Sequence, residues 1–238
     1  MKPYLFFDAG GTVIFPDFAR VAGALESAGR TTDPDALFRA FGRALYEADL
    51  PPEAAPPGGF YPRGFYAALL ERVGVPPAEA TRLGGSLRED PAELGWAATF
   101  PWVEAALHEL RGQGYRMSVI SNSDGRVAER LAHAGLDGYF DRIYDSALVG
   151  YEKPDPRIFQ QALDELDLAP SECLHVGDLY HFDVLGANRA GVAAILLDPF
   201  GLSSGRPGLR IPTVADYPRF LAGIDGLAAP AFHPLAGR

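Results

Sequence analysis

The sequence predicts an α/β protein: a doubly wound, Rossmann-like parallel sheet as core, interrupted by an inserted all-helical cap domain. Two observations carry this prediction. Short apolar runs alternate with patterns of helical spacing over most of the chain, as in βαβ units. One long stretch near the N-terminus shows helical patterns only. With 47% hydrophobic and 22% charged residues among 238, the composition is that of a globular protein and argues against intrinsic disorder.

Five short apolar runs predict the strands, because strands that are buried on both faces of a sheet are nearly continuous apolar segments. They are Tyr4 to Phe7, Met117 to Ile120, a weaker run near Ile143, Leu174 to Val176, and Ala193 to Leu197. Helices are expected between the later runs, where apolar residues recur at helical spacing and Gly or Pro ends the pattern. Their markers are Val103, Leu107 and Leu110, then Val127 and Leu131, then Ile158, Ala162, Leu163 and Leu166. The stretch Pro199 to Arg210, rich in Gly, Ser and Pro, is predicted to be a long surface loop.

The helical stretch lies after the first strand and predicts a second domain. The predicted domains are an α/β catalytic core, residues 1–14 and 99–238, and a helical cap, residues 15–98. Asp33 and Pro34 are typical of an N-cap and a first helical turn, and apolar residues follow at helical spacing. A second cap helix is expected from Phe65 to Val73. Between the two, Pro51 to Gly59 is predicted to be a loop because its prolines exclude a helix.

Charge and cysteine content exclude several classes of partner. The chain carries 21 basic and 31 acidic residues, a formal charge of −10, which disfavours nucleic acid and anionic membranes. The one cysteine, Cys173, allows neither an intrachain disulfide nor a cysteine-rich zinc site. No apolar stretch approaches the roughly 20 residues of a membrane span, and the N-terminal apolar run is too short for a signal peptide. These features predict a cytoplasmic protein with a small-molecule partner.

Four motifs carry polar residues, three of them at the ends of predicted strands and one in a connection between strands. The carboxyl ends of parallel strands meet at one edge of a sheet. Asp8 ends the first strand in FFDAGGTVI, and Ser121 ends the next in VISNSD. Lys153 precedes a proline in YEKPDPRIF. The segment HVGDLYHFDVLGA carries two acids, Asp178 and Asp183. Two acids after a buried strand are costly unless they are paired, solvated or bound to a metal, so this edge is the candidate site.

In this order, the motifs DxGGT, SN, KPDPRIF and GDxxxxDVxGA, with a helical insertion after the first, resemble the haloacid dehalogenase superfamily of hydrolases that carry a helical (C1-type) cap. The resemblance covers nearly the whole chain. It implies that Asp8 is a nucleophile that attacks phosphorus and forms an aspartyl-phosphate. It also implies that Ser121 binds the phosphoryl oxygens and that Lys153 neutralises their charge and keeps Asp8 ionised. Asp183 would either lie just outside the direct ligands of the metal or orient Lys153.

The same resemblance implies a Mg²⁺ site and a set of substrate contacts. The metal ligands would be the carboxylates of Asp8 and Asp178 and the backbone carbonyl of Gly10, hard oxygen donors of the kind that Mg²⁺ prefers. The expected substrate is a small phosphorylated metabolite. The residues assigned to substrate binding are Gly11, Thr12, Ser121, Asn122 and Lys153. The residues assigned to catalysis are Asp8, Ser121, Lys153 and Asp183.

Gly10 departs from the pattern of the phosphatases that the chain resembles, which place a second Asp two residues after the nucleophile. That Asp protonates the leaving group and then activates water, and such help is typically worth about 10²–10⁴-fold in rate. Three functions therefore stay open: a weakened or specialised phosphatase, a C–halogen hydrolase, or a ligand- or partner-binding protein with little turnover. Asp178 favours the phosphatase over the dehalogenase, because the dehalogenases of the superfamily work without a metal and lack that acid.

Two histidines lie close to the fourth motif and receive different interpretations. His181 lies between Asp178 and Asp183 in the sequence and is expected to face the mouth of the site, where it is one possible source of the missing proton. His175 lies within a predicted strand and is expected to be a core residue whose polar atoms are satisfied there. The sequence therefore predicts no role in the chemistry for His175.

Overall fold

The computed structural model describes the chain in three ranges, residues 2–51, 64–89 and 96–225. The chain forms two compact units, Met1–Phe15 with Ala98–Arg238, and Pro16–Ala97. Their limits lie one residue from the domain limits drawn from the sequence. The first unit contains a sheet, and in the described part of the second unit the regular elements are helices. No helix within the described ranges is long and apolar enough to cross a membrane.

The first unit is built on a six-stranded parallel sheet with the order β3-β2-β1-β4-β5-β6. Its strands are β1 Tyr4–Phe7, β2 Met117–Ser121, β3 Ile143–Asp145, β4 Cys173–Gly177, β5 Ala193–Leu197 and β6 Leu209–Ile211. The three central strands are buried at every residue. The predicted doubly wound α/β core is therefore confirmed, and each of the five apolar runs forms a strand.

The prediction that Pro199 to Arg210 is one long surface loop was wrong at its end. Leu209 and Arg210 belong to β6, which pairs in parallel with β5 at the edge of the sheet. Leu209 and Arg210 are exposed, and of the three residues of β6 Ile211 alone is buried. An edge strand with a single buried side chain leaves no apolar run in the sequence. β6 is therefore recognised by its pairing with β5 and not by its own sequence pattern.

The second unit contains four helices within the described residues. They are α1 Phe18–Ser27, α2 Pro34–Ala48, α3 Phe65–Arg72 and α4 Pro77–Glu89. The Asp33 side chain accepts a hydrogen bond from the Asp35 N–H at 3.1 Å and caps α2, as its sequence predicts. Aromatic rings of α1, α2 and α3 pack edge to face, among them Phe18 on Phe41 and Phe41 on Phe65. The predicted loop from Pro51 to Gly59 lies, beyond Pro51, outside the described residues.

Two adjacent glycines in α4 should respond in opposite ways to the same substitution. A Cβ at Gly84 would lie 2.7 Å from the backbone nitrogen of Ala67 in α3, whereas a Cβ at Gly85 would meet nothing within 4 Å. We expect Gly84→Ala to destabilise the protein by about 1–3 kcal/mol, because α3 must move away. Gly85→Ala should be neutral or stabilise by up to about 1 kcal/mol through helix propensity. Urea unfolding of both variants measures the difference; equal effects would contradict close α3–α4 packing.

Six further α-helices lie within the described residues of the first unit. They are α5 Pro101–Gly112, α6 Val127–His133, α7 Ser146–Val149, α8 Arg157–Leu166, α9 Leu185–Arg189 and α10 Tyr217–Asp225, and a π-helical turn, Tyr180–Val184, precedes α9. The helices predicted from apolar spacing are α5, α6 and α8. The sequence prediction missed α1, α4, α7, α9 and α10. In α4, Gly84 and Gly85 interrupt a pattern of few apolar side chains, so its helical period is weak.

Candidate active site

Asp8 follows β1 at the point where the strand order reverses, because β2 lies on one side of β1 and β4 on the other. Ligand sites of open α/β sheets form outside the carboxyl ends of strands at such a point. The Asp8 N–H donates to the Val176 carbonyl at 2.9 Å, so Asp8 continues the pairing of the sheet. Only 7% of its surface is exposed. The fold thus places a buried carboxylate where a ligand is expected.

The segment after Asp8 turns back on itself. The Ala9 carbonyl accepts hydrogen bonds from the N–H groups of Val13 and Ile14, both at 2.9 Å. Gly11 has a φ of +85°, in the left-handed region that favours glycine, so the turn itself requires this residue. Thr12 is fully buried, and its hydroxyl lies 3.5 Å from an Asp178 carboxylate oxygen. The structure therefore places Thr12 beside the fourth motif, and its assignment to substrate binding stays a prediction.

Lys153 bridges the first and fourth motifs. Its Nζ lies 2.5 Å from Asp8 Oδ1 and 2.6 Å from Asp183 Oδ1, and only 2% of its side chain is exposed. A buried ammonium needs such partners, because leaving water is costly for a charge. Three residues that are far apart in the sequence thus form one buried ion-paired group. The structure thus places Lys153 beside Asp8, and its role in catalysis stays a prediction.

The loop that carries Lys153 is held by Asn122. The Asn122 side-chain N–H donates to the Lys153 carbonyl at 2.8 Å, and the Lys153 N–H donates to Asn122 Oδ1 at 2.7 Å. Both ends of the amide are therefore bonded to the backbone of Lys153. In the structure Asn122 positions Lys153, a contact that the assignment of Asn122 to substrate binding did not foresee. Ser121, at the end of β2, is buried in the same edge.

Asp145, at the end of β3, organises the neighbouring loops and was not singled out from the sequence. Its buried carboxylate accepts hydrogen bonds from three backbone N–H groups, those of Gly125 at 3.0 Å, Val127 at 3.1 Å and Ala147 at 3.1 Å. It therefore caps α7 and holds the start of α6 at the same time. The loop that follows Ser121 is fastened in this way to the next strand of the sheet.

Asp183 receives three donors. Oδ1 faces the Lys153 ammonium and lies 3.0 Å from His175 Nε2, and Oδ2 accepts from the Leu179 N–H at 2.9 Å. Burial opposes its ionisation, but Lys153 and His175 outweigh burial and lower the pKa of Asp183. Asp183 is thus an anion with both oxygens engaged. This arrangement agrees with a role in orienting Lys153.

Asp178 differs from Asp183 in lacking such partners. Its Oδ2 is buried and has no hydrogen-bond partner within the described ranges. Burial, with repulsion from Asp8 and Asp183, raises the pKa of Asp178 well above its usual value. Burial also raises the pKa of Asp8 to about 6, although Lys153 offsets part of the effect. A cation bound by Asp8 and Asp178 would stabilise the ionised form of both carboxylates.

The donor set fits Mg²⁺. Carboxylate oxygens of Asp8, Asp178 and Asp183 lie within 4.8 Å of one another. Among the residues described, these three acids are the group that could hold a metal ion. Because Asp183 is already engaged by Lys153, His175 and Leu179, the oxygens left for a metal come from Asp8 and Asp178. Hard oxygen donors suit Mg²⁺.

The structure brings together most of the residues assigned from the sequence. Asp8, Thr12, Lys153, Asp178 and Asp183 lie in one network, whereas Gly10 and Gly11 contribute backbone to the turn beside it. His181 lies in the π-helical turn, with its ring 5.3 Å from the ring of Tyr180. The contact of His175 with Asp183 was not predicted from the sequence. The sequence offers one signal for this contact. His175 and Gly177 are two residues apart in β4 and therefore face the same side of the sheet, where the missing side chain of Gly177 leaves room for Asp183.

Comparison with known proteins agrees with this architecture. The family described as "Hydrolase: haloacid dehalogenase-like hydrolase" matches residues 4–191, most of the chain. That range contains Asp8, Ser121, Lys153, Asp178 and Asp183. The chain therefore belongs to the haloacid dehalogenase-like hydrolases, and the resemblance inferred from its motifs is confirmed.

Curated relatives include proteins named as phosphatases. A phosphoserine phosphatase of Thermus thermophilus is 34% identical over 190 residues, which cover 76% of this chain and 75% of the relative. A glyceraldehyde 3-phosphate phosphatase of Methanothermobacter thermautotrophicus is 39% identical over 100 residues, 42% of this chain and 44% of the relative. The chain thus spans less than half the length of the latter.

A solved structure shares the fold. A phosphatase of the same superfamily from Thermococcus onnurineus matches 94% of this chain and 99% of its own, with a TM-score of 0.59 and 22% identity. At this identity the likeness concerns the fold alone. The chemistry must therefore be argued from the residues of the site.

Proposed function

We propose that this hydrolase is a Mg²⁺-dependent phosphatase that acts on a small phosphorylated metabolite through an aspartyl-phosphate at Asp8. The observation that supports it most is the buried group of Asp8, Lys153 and Asp183, together with an unpartnered carboxylate oxygen on Asp178. Phosphoryl transfer to a carboxylate requires an anionic nucleophile and fixed positive charge. An acid with an unpartnered oxygen, as Asp178 has, can bind a metal ion that adds to this charge.

Asp8 performs the covalent step. A carboxylate oxygen of Asp8 forms a bond to phosphorus while the bond from phosphorus to the ester oxygen breaks, and the leaving alkoxide takes up a proton. Water then attacks the phosphorus of the aspartyl-phosphate, the P–O bond to Asp8 breaks, and inorganic phosphate leaves. Splitting one hydrolysis into two displacements lowers each barrier. Lys153 holds Asp8 through Oδ1 and supplies positive charge where the phosphoryl oxygens gather.

The metal would be held by Asp8 and Asp178 with the carbonyl of Gly10. When bound, Mg²⁺ supplies positive charge that offsets the repulsion between the carboxylates and the phosphate of the substrate. Ser121, buried at the end of β2, is proposed to donate to a phosphoryl oxygen. Gly11, Thr12 and Asn122 stay predicted substrate contacts.

Gly10 determines which substrates react well. No side chain at this position can protonate the leaving group, so the proton must come from water or from another group. Substrates with acidic leaving groups, such as acyl or aryl phosphates, need that proton least. The relatives' names concern phosphoserine and glyceraldehyde 3-phosphate, so small phosphate monoesters are the substrate class we propose to examine first. The cap function of the helical unit and the cytoplasmic location stay predictions.

A burst assay with p-nitrophenyl phosphate tests the function. With Mg²⁺ we expect rapid release of nitrophenolate equal to the enzyme concentration, followed by slower steady release, because the missing acid/base at Gly10 slows hydrolysis of the aspartyl-phosphate. The same reaction in excess chelator should show neither phase. Absence of nitrophenolate, with Mg²⁺ binding demonstrated by calorimetry, would favour the binding protein over the phosphatase.

The metal assignment predicts a stability effect at Asp178. We expect Asp178→Asn to stabilise the metal-free protein by about 1–3 kcal/mol, because it removes a half-buried acid whose ionisation is disfavoured by Asp8 and whose Oδ2 is buried without a partner among the described residues. Mg²⁺ should raise the melting temperature of the wild-type protein but not that of the variant. Calorimetry with and without Mg²⁺ measures both, with Asp164→Asn on the exposed face of α8 as a control. A full Mg²⁺ shift in Asp178→Asn would remove Asp178 from the metal site.

A further inference from the structure

His175 has no role in the mechanism proposed for Asp8, Lys153 and the metal. It is fully buried in the middle of β4, and its Nε2 is 3.0 Å from Asp183 Oδ1. The ring packs edge to face on Phe159, with centroids 5.0 Å apart and planes at 87°. The imidazole is thus held by the core on one side and faces a carboxylate on the other. Complete burial of a polar side chain is costly unless the side chain is hydrogen-bonded, and Asp183 is the partner that meets this need.

The strand that carries His175 also shapes the place of Asp183. Gly177 is two residues further along β4, so it faces the same side of the sheet as His175. A Cβ on Gly177 would lie 2.2 Å from Cγ of Asp183 and 2.4 Å from its Oδ2. The carboxyl group of Asp183 therefore occupies the space of the missing side chain. His175 and Gly177 together form a seat for this carboxylate.

The proton on His175 follows from its neighbours. Burial lowers the pKa of His175, and Asp183 offsets only part of this, so the imidazole is neutral at pH 7 and carries one N–H. An ionised carboxylate accepts hydrogen bonds and donates none. The backbone of Phe6 on the adjacent strand also offers the ring an acceptor, but no acceptor lies within hydrogen-bond distance of Nδ1 among the residues described. The hydrogen consequently belongs on Nε2, from which it is donated to Asp183 Oδ1.

We propose that His175 is a positioning residue, which holds Asp183 by its Nε2–H and thereby fixes the Lys153 ammonium against Asp8. The inference rests on the proposed function for its catalytic consequence, whereas the contact itself does not. Asp183 Oδ1 is shared by Lys153 at 2.6 Å and His175 at 3.0 Å. Without the histidine, Oδ1 keeps Lys153 alone, and the carboxylate can turn and draw the ammonium away from Asp8 Oδ1. The loss falls more on formation of the aspartyl-phosphate, which needs Lys153 fixed against Asp8, than on substrate binding, to which the ammonium contributes its charge alone.

Kinetics of two variants test the catalytic consequence. His175→Leu removes the donor, whereas the amide of His175→Gln can place an N–H near the position of Nε2. We expect the burst rate constant of His175→Leu to fall about 10–100-fold, the range found when partners that orient metal ligands are removed, with the substrate concentration at half-maximal burst rate within about threefold of wild type. His175→Gln should recover most of the rate. His108→Gln, exposed on α5, is the matched control and should leave the rate unchanged.

The lysine content of the chain offers a readout that does not need turnover. The chain has two lysines, Lys2 and Lys153, so ¹⁵N-lysine labelling yields two side-chain signals. The buried ammonium of Lys153 should give an exchange-protected signal, and exposed Lys2 serves as the internal reference. We expect His175→Leu to shift the Lys153 signal or abolish its protection, and His175→Gln to restore it. ¹⁵N-histidine spectra of the wild-type protein should show His175 as the Nε2–H tautomer.

The outcomes separate this inference from the proposed function. An Nδ1–H tautomer, an unchanged Lys153 signal in His175→Leu, or a full burst rate in that variant would each overturn the role of His175. If the wild-type protein shows no burst, the phosphatase function fails, and the lysine and histidine spectra alone decide whether His175 positions Lys153. If His175→Leu does not fold, comparison of His175→Gln with wild type decides: a Lys153 signal and rate close to wild type support the donor role, and loss of both overturns it.

Discussion

Asp8→Asn is expected to abolish hydrolysis, with turnover of p-nitrophenyl phosphate reduced at least about 10⁴-fold, because a carboxamide cannot form the bond to phosphorus. The fold should persist. Asn can still accept from the Lys153 ammonium through its oxygen, and the Lys153–Asp183 pair is untouched. Since burial already raises the pKa of Asp8 to about 6, loss of its charge should change the free energy of unfolding by no more than about 1–2 kcal/mol.

The measurement for Asp8→Asn combines turnover with the intact mass of the protein. Wild-type enzyme quenched in acid during the burst should gain the mass of one phosphoryl group, and the variant should gain none. Asp164→Asn makes the same chemical change at an exposed position of α8 and should keep full turnover. Appreciable hydrolysis by Asp8→Asn, in protein freed of wild-type contamination, would sink the nucleophile assignment.

Lys153→Met is expected to remove activity and also to cost about 3–5 kcal/mol of unfolding free energy. Methionine has a similar length and can fill the space, but it leaves two buried carboxylates facing each other without a cation. Lys153 also offsets part of the burial effect on Asp8, so the pKa of Asp8 should rise further in the variant and reduce the fraction of ionised nucleophile.

The control for Lys153→Met is the only other lysine of the chain. Lys2→Met, at an exposed residue before β1, should change stability by less than about 0.5 kcal/mol and leave the burst intact. Denaturant unfolding and the burst assay on both variants give the comparison. A stable, active Lys153→Met would mean that the buried ion-paired group neither supports the fold nor serves the reaction.

The strands of the core could be predicted because their burial on both faces leaves an apolar run in the sequence. Asp8, Ser121 and Asp178 could be singled out because they follow strands that end at one edge of the sheet, whereas their roles and that of Lys153 were implied by the resemblance of the motifs to the haloacid dehalogenase superfamily. β6 could not be predicted, since of its residues only Ile211 is buried. Its place depends on pairing with β5, which the local sequence does not encode.

The contacts that orient the site could not be predicted either. Asn122 and Lys153 are separated by 31 positions, and their paired hydrogen bonds depend on how two loops approach each other. His175 looked like an ordinary core residue of β4, because its partner Asp183 fits there only through the missing side chain of Gly177. Sequence order locates residues on elements. It does not tell which polar atoms share one oxygen.

The three hydrogen bonds that Asp145 accepts have a bearing on how this active site tolerates change. β3 is an outer strand of the sheet and does not touch β1, which carries the nucleophile. Outer strands and their loops are the parts of a domain that vary most freely. Yet one carboxylate on β3 holds the segment that follows Ser121, the residue proposed to bind the phosphoryl group, so the outer strand helps to place a loop of its inner neighbour. We therefore expect a change in α7 or in the turn after it to shift this loop without altering any of the proposed substrate contacts.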